Sequence, residues 1–172
     1  MNNSIQPGDT VAVVLKGSPL FGRLLSIKGS KAVISFGGQR RDQGLPLRDL
    51  IVIDPEHRFV NSDLPVPDQV QDSAPSARAV LEAWQLLETD QPGGLARLSL
   101  CELGELVLTP FNLAGLAALW AWLHGNQQLF RWRRDRLIQP LPREERASLR
   151  RQRRVERQAQ RHEQRQLVSA EG

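Results

Sequence analysis

The first fifty residues alternate short hydrophobic runs with glycine-bearing turns. The runs Thr10–Leu15, Phe21–Ile27 and Ala32–Phe36 are rich in β-branched and aliphatic residues, which favour strands. A further run, Leu45–Ile53, predicts a strand, a short turn and a last strand. Four or five short strands in so few residues predict a small SH3-like β-barrel over residues 1–54.

The segment of residues 55–75 loses this pattern. It carries four prolines among Asp, Gln and Ser residues: Pro55, Pro65, Pro67 and Pro75. Such a segment lacks the apolar surface to fold alone, so it predicts an extended, Pro-rich linker. We place a domain boundary there.

Helical periodicity begins after the linker. Ser76 is positioned to cap a helix in which Val80, Trp84 and Leu87 fall on one face. The run Pro92–Gly94 ends any continuation of this helix. The pattern therefore predicts one amphipathic helix between the linker and these glycines.

Two more helices are predicted before residue 126. Ser99 and Glu102 have the spacing of a capping box, which predicts a second helix over residues 100–108. Thr109–Pro110 is read as a cap followed by a proline in the first turn, and it opens a third helix that Gly125 ends. The third helix is apolar along most of its length.

The stretch after the third helix alternates Phe130 and Trp132 with Arg131 and Arg133. This alternation predicts a two-stranded hairpin with an arginine-rich tip. Three helices followed by a basic hairpin form the order of a winged helix-turn-helix domain, which we assign to residues 76–142. The predicted fold class is α+β.

Positive charge is concentrated at the end of the chain. Residues 131–165 hold thirteen Arg and five acidic residues, whereas residues 1–130 hold ten Lys or Arg and thirteen acidic residues. Within the tail, residues 143–172, the part Arg143–Leu167 contains many helix formers and no Gly or Pro. It predicts an exposed basic helix, with an irregular end at Val168–Gly172.

A basic block of this kind attracts a polyanion with an affinity that falls as salt rises. The third helix, Phe111–Leu123, contains no Lys or Arg, which argues against reading of base edges in a duplex groove. Trp120 and Trp122 lie two helical positions apart and cannot both face one core. The candidate RNA contacts are therefore basic and aromatic side chains of the hairpin and the tail: Arg131, Trp132, Arg133, Arg134, Arg136, Arg150, Arg151, Arg153 and Arg154.

No pattern of catalytic or metal-binding residues is found. The glycine pairs lack the lysine and hydroxyl residue of a phosphate-binding loop, and His57, His124 and His162 are far apart in sequence. Cys101 is the single cysteine, and the N-terminus lacks a signal segment. We expect a cytoplasmic protein without an active site, cofactor or membrane span in this chain.

Several strings of residues resemble one protein family. They are Trp120–Gly125, Leu129–Arg133 and the arginine-rich helix that follows, together with Gly8–Val13, Gly17–Leu20 and Gly44–Leu50. They resemble the N-terminal region of cyanobacterial exoribonucleases of the ribonuclease II/R (RNB) family. The resemblance extends over nearly the whole chain but includes no catalytic signature.

The resemblance implies a function in RNA binding. In that family an N-terminal RNA-binding region precedes a catalytic domain, in which clustered aspartates hold Mg²⁺ and RNA is hydrolysed from its 3′ end. Such a domain would lie outside this chain, so no catalytic residue is carried over. The expected role is to hold RNA or feed it to a nuclease domain.

Two other functions are compatible with the same residues. A protein-interaction adaptor would use the barrel and the tryptophan-bearing helix to bind a partner, with the tail as an arm that orders on binding. A winged-helix regulator would prefer one duplex sequence. The RNA hypothesis differs from both because it requires salt-sensitive binding to single-stranded RNA.

Overall fold

The computed structural model describes residues 5–36, 41–59, 63–125, 128–133 and 137–171. It combines one five-stranded antiparallel sheet, a two-stranded hairpin and five α-helices in the described residues. The predicted α+β class is confirmed.

The sheet forms from the runs that the hydrophobic pattern marked. Its strands are β1 Thr10–Leu15, β2 Ser18–Lys28, β3 Lys31–Phe36, β4 Gln43–Pro46 and β5 Ile51–Val52. They are hydrogen-bonded in the order β4-β3-β2-β1-β5, and every neighbouring pair is antiparallel. Lys16 and Gly17 join β1 to β2 with φ values of 50° and 78°, which suit a tight hairpin turn. The predicted strands are confirmed at these bounds.

The helices begin mostly where capping residues predict them. The hydroxyl of Ser76 accepts the amide of Ala79 at 3.0 Å, and the hydroxyl of Ser99 accepts the amide of Glu102 at 3.1 Å. The remaining elements are α1 Pro67–Asp72, α2 Ala77–Asp90, α3 Leu100–Val107, α4 Leu113–Gly125, β6 Phe130–Trp132, β7 Ile138–Pro140 and α5 Arg143–Glu171.

The start of α4 differs from the prediction. Its cap is Asn112, whose side-chain oxygen accepts the amide of Gly115 at 2.7 Å, and not Thr109. The helix begins at Leu113, so Phe111 precedes it, and the Phe111 ring packs against Phe59 with ring centroids 5.4 Å apart. This aromatic contact, which local sequence does not reveal, delays the helix until Asn112 offers a strong cap.

Two further segments are more helical than expected. Pro67 opens the short helix α1 within the predicted extended segment, and the Gln69 side chain accepts the amide of Val66 at 3.1 Å. Val70 of α1 packs on the core, which supplies the apolar contact that this segment lacks alone. The predicted irregular end at Val168–Gly172 is also wrong through Glu171, because no Gly or Pro interrupts α5 before Gly172.

The two faces of the sheet bury different sets of side chains. Val11 and Val13 belong to a cluster within the sheet, whereas Ala12 and Ile53 belong to the cluster that the helices form. The alternation along β1 explains this division, because successive side chains point to opposite faces. The main hydrophobic core therefore crosses the predicted boundary between residues 1–54 and the helices.

Two contacts fix this arrangement. The Phe21 ring of β2 meets the Trp120 ring of α4 edge to face, with centroids 5.7 Å apart. The thiol of Cys101 on α3 lies 3.8 Å from the carbonyl oxygen of Ile53. Burial raises the pKa of the Cys101 thiol to about 11.

None of the helices in the described residues is both long and apolar enough to cross a lipid bilayer. The longest, α5, carries charged and amide side chains along its whole length.

Replacement of Phe21 by alanine should weaken the sheet and the helices together. We expect the free energy of unfolding to fall by about 1–3 kcal/mol, since Phe21 is half-buried and loses its contact with Trp120. The midpoint of urea denaturation should shift by the same amount whether it is measured by tryptophan fluorescence or by circular dichroism. The control Leu25→Ala, on the same strand and exposed, should change stability by less than about 0.5 kcal/mol. Equal effects of the two substitutions would contradict the shared core.

The Cys101 thiol should react slowly in the folded protein. Its pKa of about 11, against an ordinary value of 9.0, leaves roughly 100-fold less thiolate at a given pH, and burial blocks access further. A thiol-specific chromogenic disulfide at mildly alkaline pH should therefore label it quickly only in denaturant. Because the folded state keeps a proton that the unfolded chain releases, this group lowers stability as pH rises from about 9 to about 11. A folded thiol that reacts as fast as the unfolded one would contradict the burial.

Candidate nucleic-acid interface

Seven of the nine arginines of α5 fall on one side of the helix. At about 100° per residue, seven of them lie within a sector of about 100°. Three acidic residues, Glu145, Glu156 and Glu163, lie on the opposite side at the same spacing, whereas Glu144 lies about 60° beyond the edge of this sector. We call the seven the arginine stripe: Arg143, Arg146, Arg150, Arg154, Arg157, Arg161 and Arg165.

Most of α5 projects away from the rest of the protein. Arg146 and Leu149 are half-buried, whereas every residue from Arg150 to Ala170 is exposed. At 1.5 Å per residue, the exposed part is about 30 Å long. The stripe therefore faces solvent from its second turn onward.

A buried tryptophan holds the beginning of α5 in place. The indole N–H of Trp84 on α2 donates to the carbonyl oxygen of Leu141 at 2.9 Å. The guanidinium groups of Arg146 and Arg143 lie 4.6 and 5.9 Å from the centroid of the Trp84 ring. Arg143 also donates to the hydroxyl of Thr89 at 3.1 Å. These contacts hold the first turns of α5 against α2, with the two helices running in opposite directions.

A cleft of about 760 Å³ lies between these two helices. Five arginines of α5 line it, and Gln85 and Thr89 of α2 contribute polar groups opposite them. The residues that line the cleft include no Asp or Glu. We call it the basic cleft, and its arginines are Arg143, Arg146, Arg150, Arg151 and Arg154.

The electrostatics of the basic cleft favour an anion. Burial, followed by the repulsion of Arg150, lowers the pKa of Arg146. Arginines three and four positions apart on one helix repel each other in the absence of a counter-charge. Guanidinium groups bind phosphate oxygens through paired N–H donors, so the phosphates of a nucleic acid would relieve this repulsion.

The predicted tail residues separate into two groups. Arg150, Arg151 and Arg154 line the basic cleft, and the Arg151 guanidinium lies 3.5 Å from the hydroxyl of Ser148. Arg153 is exposed and does not line the cleft; it lies about 20° around the helix beyond Arg146, next to the edge of the stripe. The structure thus brings three of the four predicted tail arginines together.

The predicted hairpin residues have partners within the chain. The Arg131 guanidinium forms an ion pair with Glu145 of α5, and Arg133 donates to the side-chain oxygen of Gln139 at 3.2 Å. Trp132 is half-buried and packs on the core. The other two candidates, Arg134 and Arg136, lie outside the described residues.

The hairpin contacts α5 on a different side from the arginine stripe. Glu145, the partner of Arg131, lies about 160° around the helix from Arg143 of the stripe. Arg131 and the stripe therefore do not form one continuous surface at the beginning of α5. The ion pair also neutralises part of the hairpin charge.

The third predicted helix, α4, is a core element. Eight of its thirteen residues are buried, among them Trp120 with 1% of its surface exposed. It offers no surface of the kind that a recognition helix inserts into a duplex groove.

Sequence reasoning missed Arg143, Arg146 and Trp84 as parts of the interface, together with the outer stripe from Arg157 to Arg165. The signal for the arginines was present, because they recur at intervals of three and four residues. Nothing in the local sequence marks Trp84, which reaches α5 only through tertiary structure.

In the part of the chain that the structure describes, no three His, Cys, Asp or Glu side chains lie together in a way that could hold a metal ion. Comparison with protein-family models, with curated proteins and with solved structures finds no match to this chain.

Replacement of Trp84 by leucine should release the beginning of α5. The substitution removes the hydrogen bond to Leu141 and the ring beneath Arg146, so we expect a loss of about 2–4 kcal/mol of stability. Hydrogen exchange should become faster at the amides of residues 143–149. The control Leu86→Ala, on the exposed face of the same helix, should leave that exchange unchanged. Unaltered protection in the Trp84 variant would show that another contact holds α5.

Proposed function

We propose that this chain is an RNA-binding accessory region that contacts the phosphate backbone through the arginine stripe and the basic cleft. One observation carries the proposal, namely that seven arginines occupy one side of α5 while Glu145, Glu156 and Glu163 occupy the other. If solubility were the only requirement, acidic and basic residues four positions apart on one face would also stabilise the helix through ion pairs. The segregated charge is instead suited to an extended polyanion.

Binding would follow from the chemistry of the guanidinium group. Each arginine of the stripe offers several N–H donors to a phosphate, and contact with the backbone releases condensed counterions. This mode is independent of base sequence, and it weakens as salt rises. RNA is favoured over DNA by the resemblance to RNB-family exoribonucleases.

We propose a supporting role for the rest of the chain. The five antiparallel strands are compatible with an SH3-like barrel, and the order of α2, α3, α4 and the hairpin is compatible with a winged helix. Leu98 pairs with Ile138 through two backbone hydrogen bonds of 3.0 and 2.7 Å, which adds a strand position beside the hairpin. In this interpretation both modules position α5, and the RNA would be held for or fed to a nuclease domain outside this chain, in the cytoplasm.

A matched pair of neighbouring arginines tests the proposal. Both are exposed on the same helix, but Arg154 lies on the stripe and lines the basic cleft, whereas Arg153 points about 100° away from Arg154 and does not line the cleft. We expect Arg154→Gln to weaken binding of single-stranded RNA about 3- to 10-fold, and Arg153→Gln to weaken it less than about twofold. Fluorescence anisotropy at fixed salt measures both. Equal effects of the two variants would contradict a stripe-directed interface.

The salt dependence supplies a second measure. Replacement of Arg154, Arg157 and Arg161 by glutamine should reduce the slope of log affinity against log salt by about 2, since each lost phosphate contact accounts for about 0.7. Salt-independent RNA binding, or a stable protein partner that persists in high salt after nuclease treatment, would favour the adaptor function instead.

A further inference from the structure

A second cleft lies on the other flank of Arg146. Its volume is about 320 Å³. Arg146 and Arg150 line both this cleft and the basic cleft, so the second cleft opens directly beside the arginine stripe. The rest of its wall is mainly apolar and comes from α2, α4, α5 and the residue before β6: Leu81, Trp122, Leu149 and Leu129.

Trp122 gives this cleft an aromatic wall. Trp120, two positions earlier on α4, occupies the core, whereas Trp122 is half-buried and lies about 200° further around the helix. Part of its surface packs on the core, and part lines the cleft. Trp120 is therefore a core residue, whereas Trp122 contributes part of its surface to this cleft.

The lining suits a flat aromatic group whose neighbours carry negative charge. Nucleobases stack on tryptophan in proteins that bind single strands, and arginines beside the aromatic ring hold the adjoining phosphates. Gln128 also lines the cleft, and its amide has both donors and an acceptor for a base edge. An aliphatic peptide side chain would gain little from the arginines at the rim, so the charge favours a nucleotide.

We propose that this cleft binds one unpaired nucleobase, which stacks on Trp122 while Arg146 and Arg150 bind the phosphates on either side of that nucleotide. The proposal rests on the proposed function, because the stripe brings the backbone to the cleft. A base within a duplex is stacked on both faces and cannot enter without being extruded. The root of α5 would thus select a single-stranded segment, whereas the outer stripe binds phosphates of any strand.

Substitution of Trp122 tests the stacking. Trp122→Leu should weaken the binding of a short oligouridine about fivefold or more, and Trp122→Phe should restore most of the affinity. Binding of a blunt RNA duplex should stay within about twofold of the wild type, since it depends on phosphate contacts. The control Leu106→Ala, at an exposed apolar residue of α3 that lines neither cleft, should leave oligouridine binding unchanged. Thermal unfolding of each variant verifies that it is folded.

The results separate this proposal from the proposed function. If Arg154→Gln weakens binding and Trp122→Leu does not, the base-binding site is wrong and the RNA-binding stripe stands. If neither substitution weakens binding, both are wrong. If Trp122→Leu weakens oligouridine and duplex equally, the residue acts through the fold and the stacking site is wrong.

Photocrosslinking tests the wild-type chain directly and needs no variant. An oligouridine that carries 5-iodouridine should crosslink to the peptide that contains Trp122, and mass spectrometry identifies that peptide. Crosslinks confined to Trp132, or absent from Trp122 under conditions in which the oligonucleotide binds, would overturn the proposal.

Discussion

The indole of Trp84 is the contact on which the position of the basic helix depends. It is buried, its N–H donates to the carbonyl oxygen of Leu141, and its ring lies beneath Arg146. A buried indole needs a partner for its single donor, and here that partner lies two residues before α5 begins. One side chain thus connects α2, the end of the hairpin and the first turns of α5. The direction in which the rest of the helix projects follows from this connection.

The charges of α5 are arranged at a cost to the helix itself. Arg154 has Arg150 four residues before it and Arg157 three residues after it, and such like-charged pairs are unfavourable. The helix is sustained instead by the high propensity of Arg, Gln, Glu and Ala, with tertiary contacts only at its beginning in the described residues. An arrangement that opposes stability while concentrating charge on one side is typical of a surface that meets an oppositely charged partner.

Features that depend on neighbouring residues could be predicted from the sequence. The strands β1 to β3, the caps Ser76 and Ser99 and the hairpin arise from local pattern and local hydrogen bonds, and all are present in the structure. Features that depend on distant residues could not. Phe111 delays α4 by packing on Phe59, and Val70 supplies the burial for a helix in a segment that has too little apolar surface alone.

The candidate interface shows the same division. The arginines of the tail were evident from composition. Their division into stripe and non-stripe residues could be made only once α5 was known to be one continuous helix. Arg131 pairs with Glu145, a residue fourteen positions later in another element. No local rule distinguishes Arg131 from an arginine that has no partner in the chain. Proximity in three dimensions therefore adds Trp84 and the basic cleft to the candidate interface.

The length of α5 also has a kinetic meaning. Salt screens a surface charge beyond about 8 Å at physiological ionic strength, so charges on a compact body attract a polyanion only at close range. Arg165 lies about 33 Å along the helix from Arg143. In the proposed function, the projecting helix would carry this attraction well beyond the screened layer around the rest of the protein and would enlarge the volume from which a strand is captured. The projecting helix would mainly increase the rate of encounter. The clefts at the beginning of α5 would then determine how long the strand remains bound.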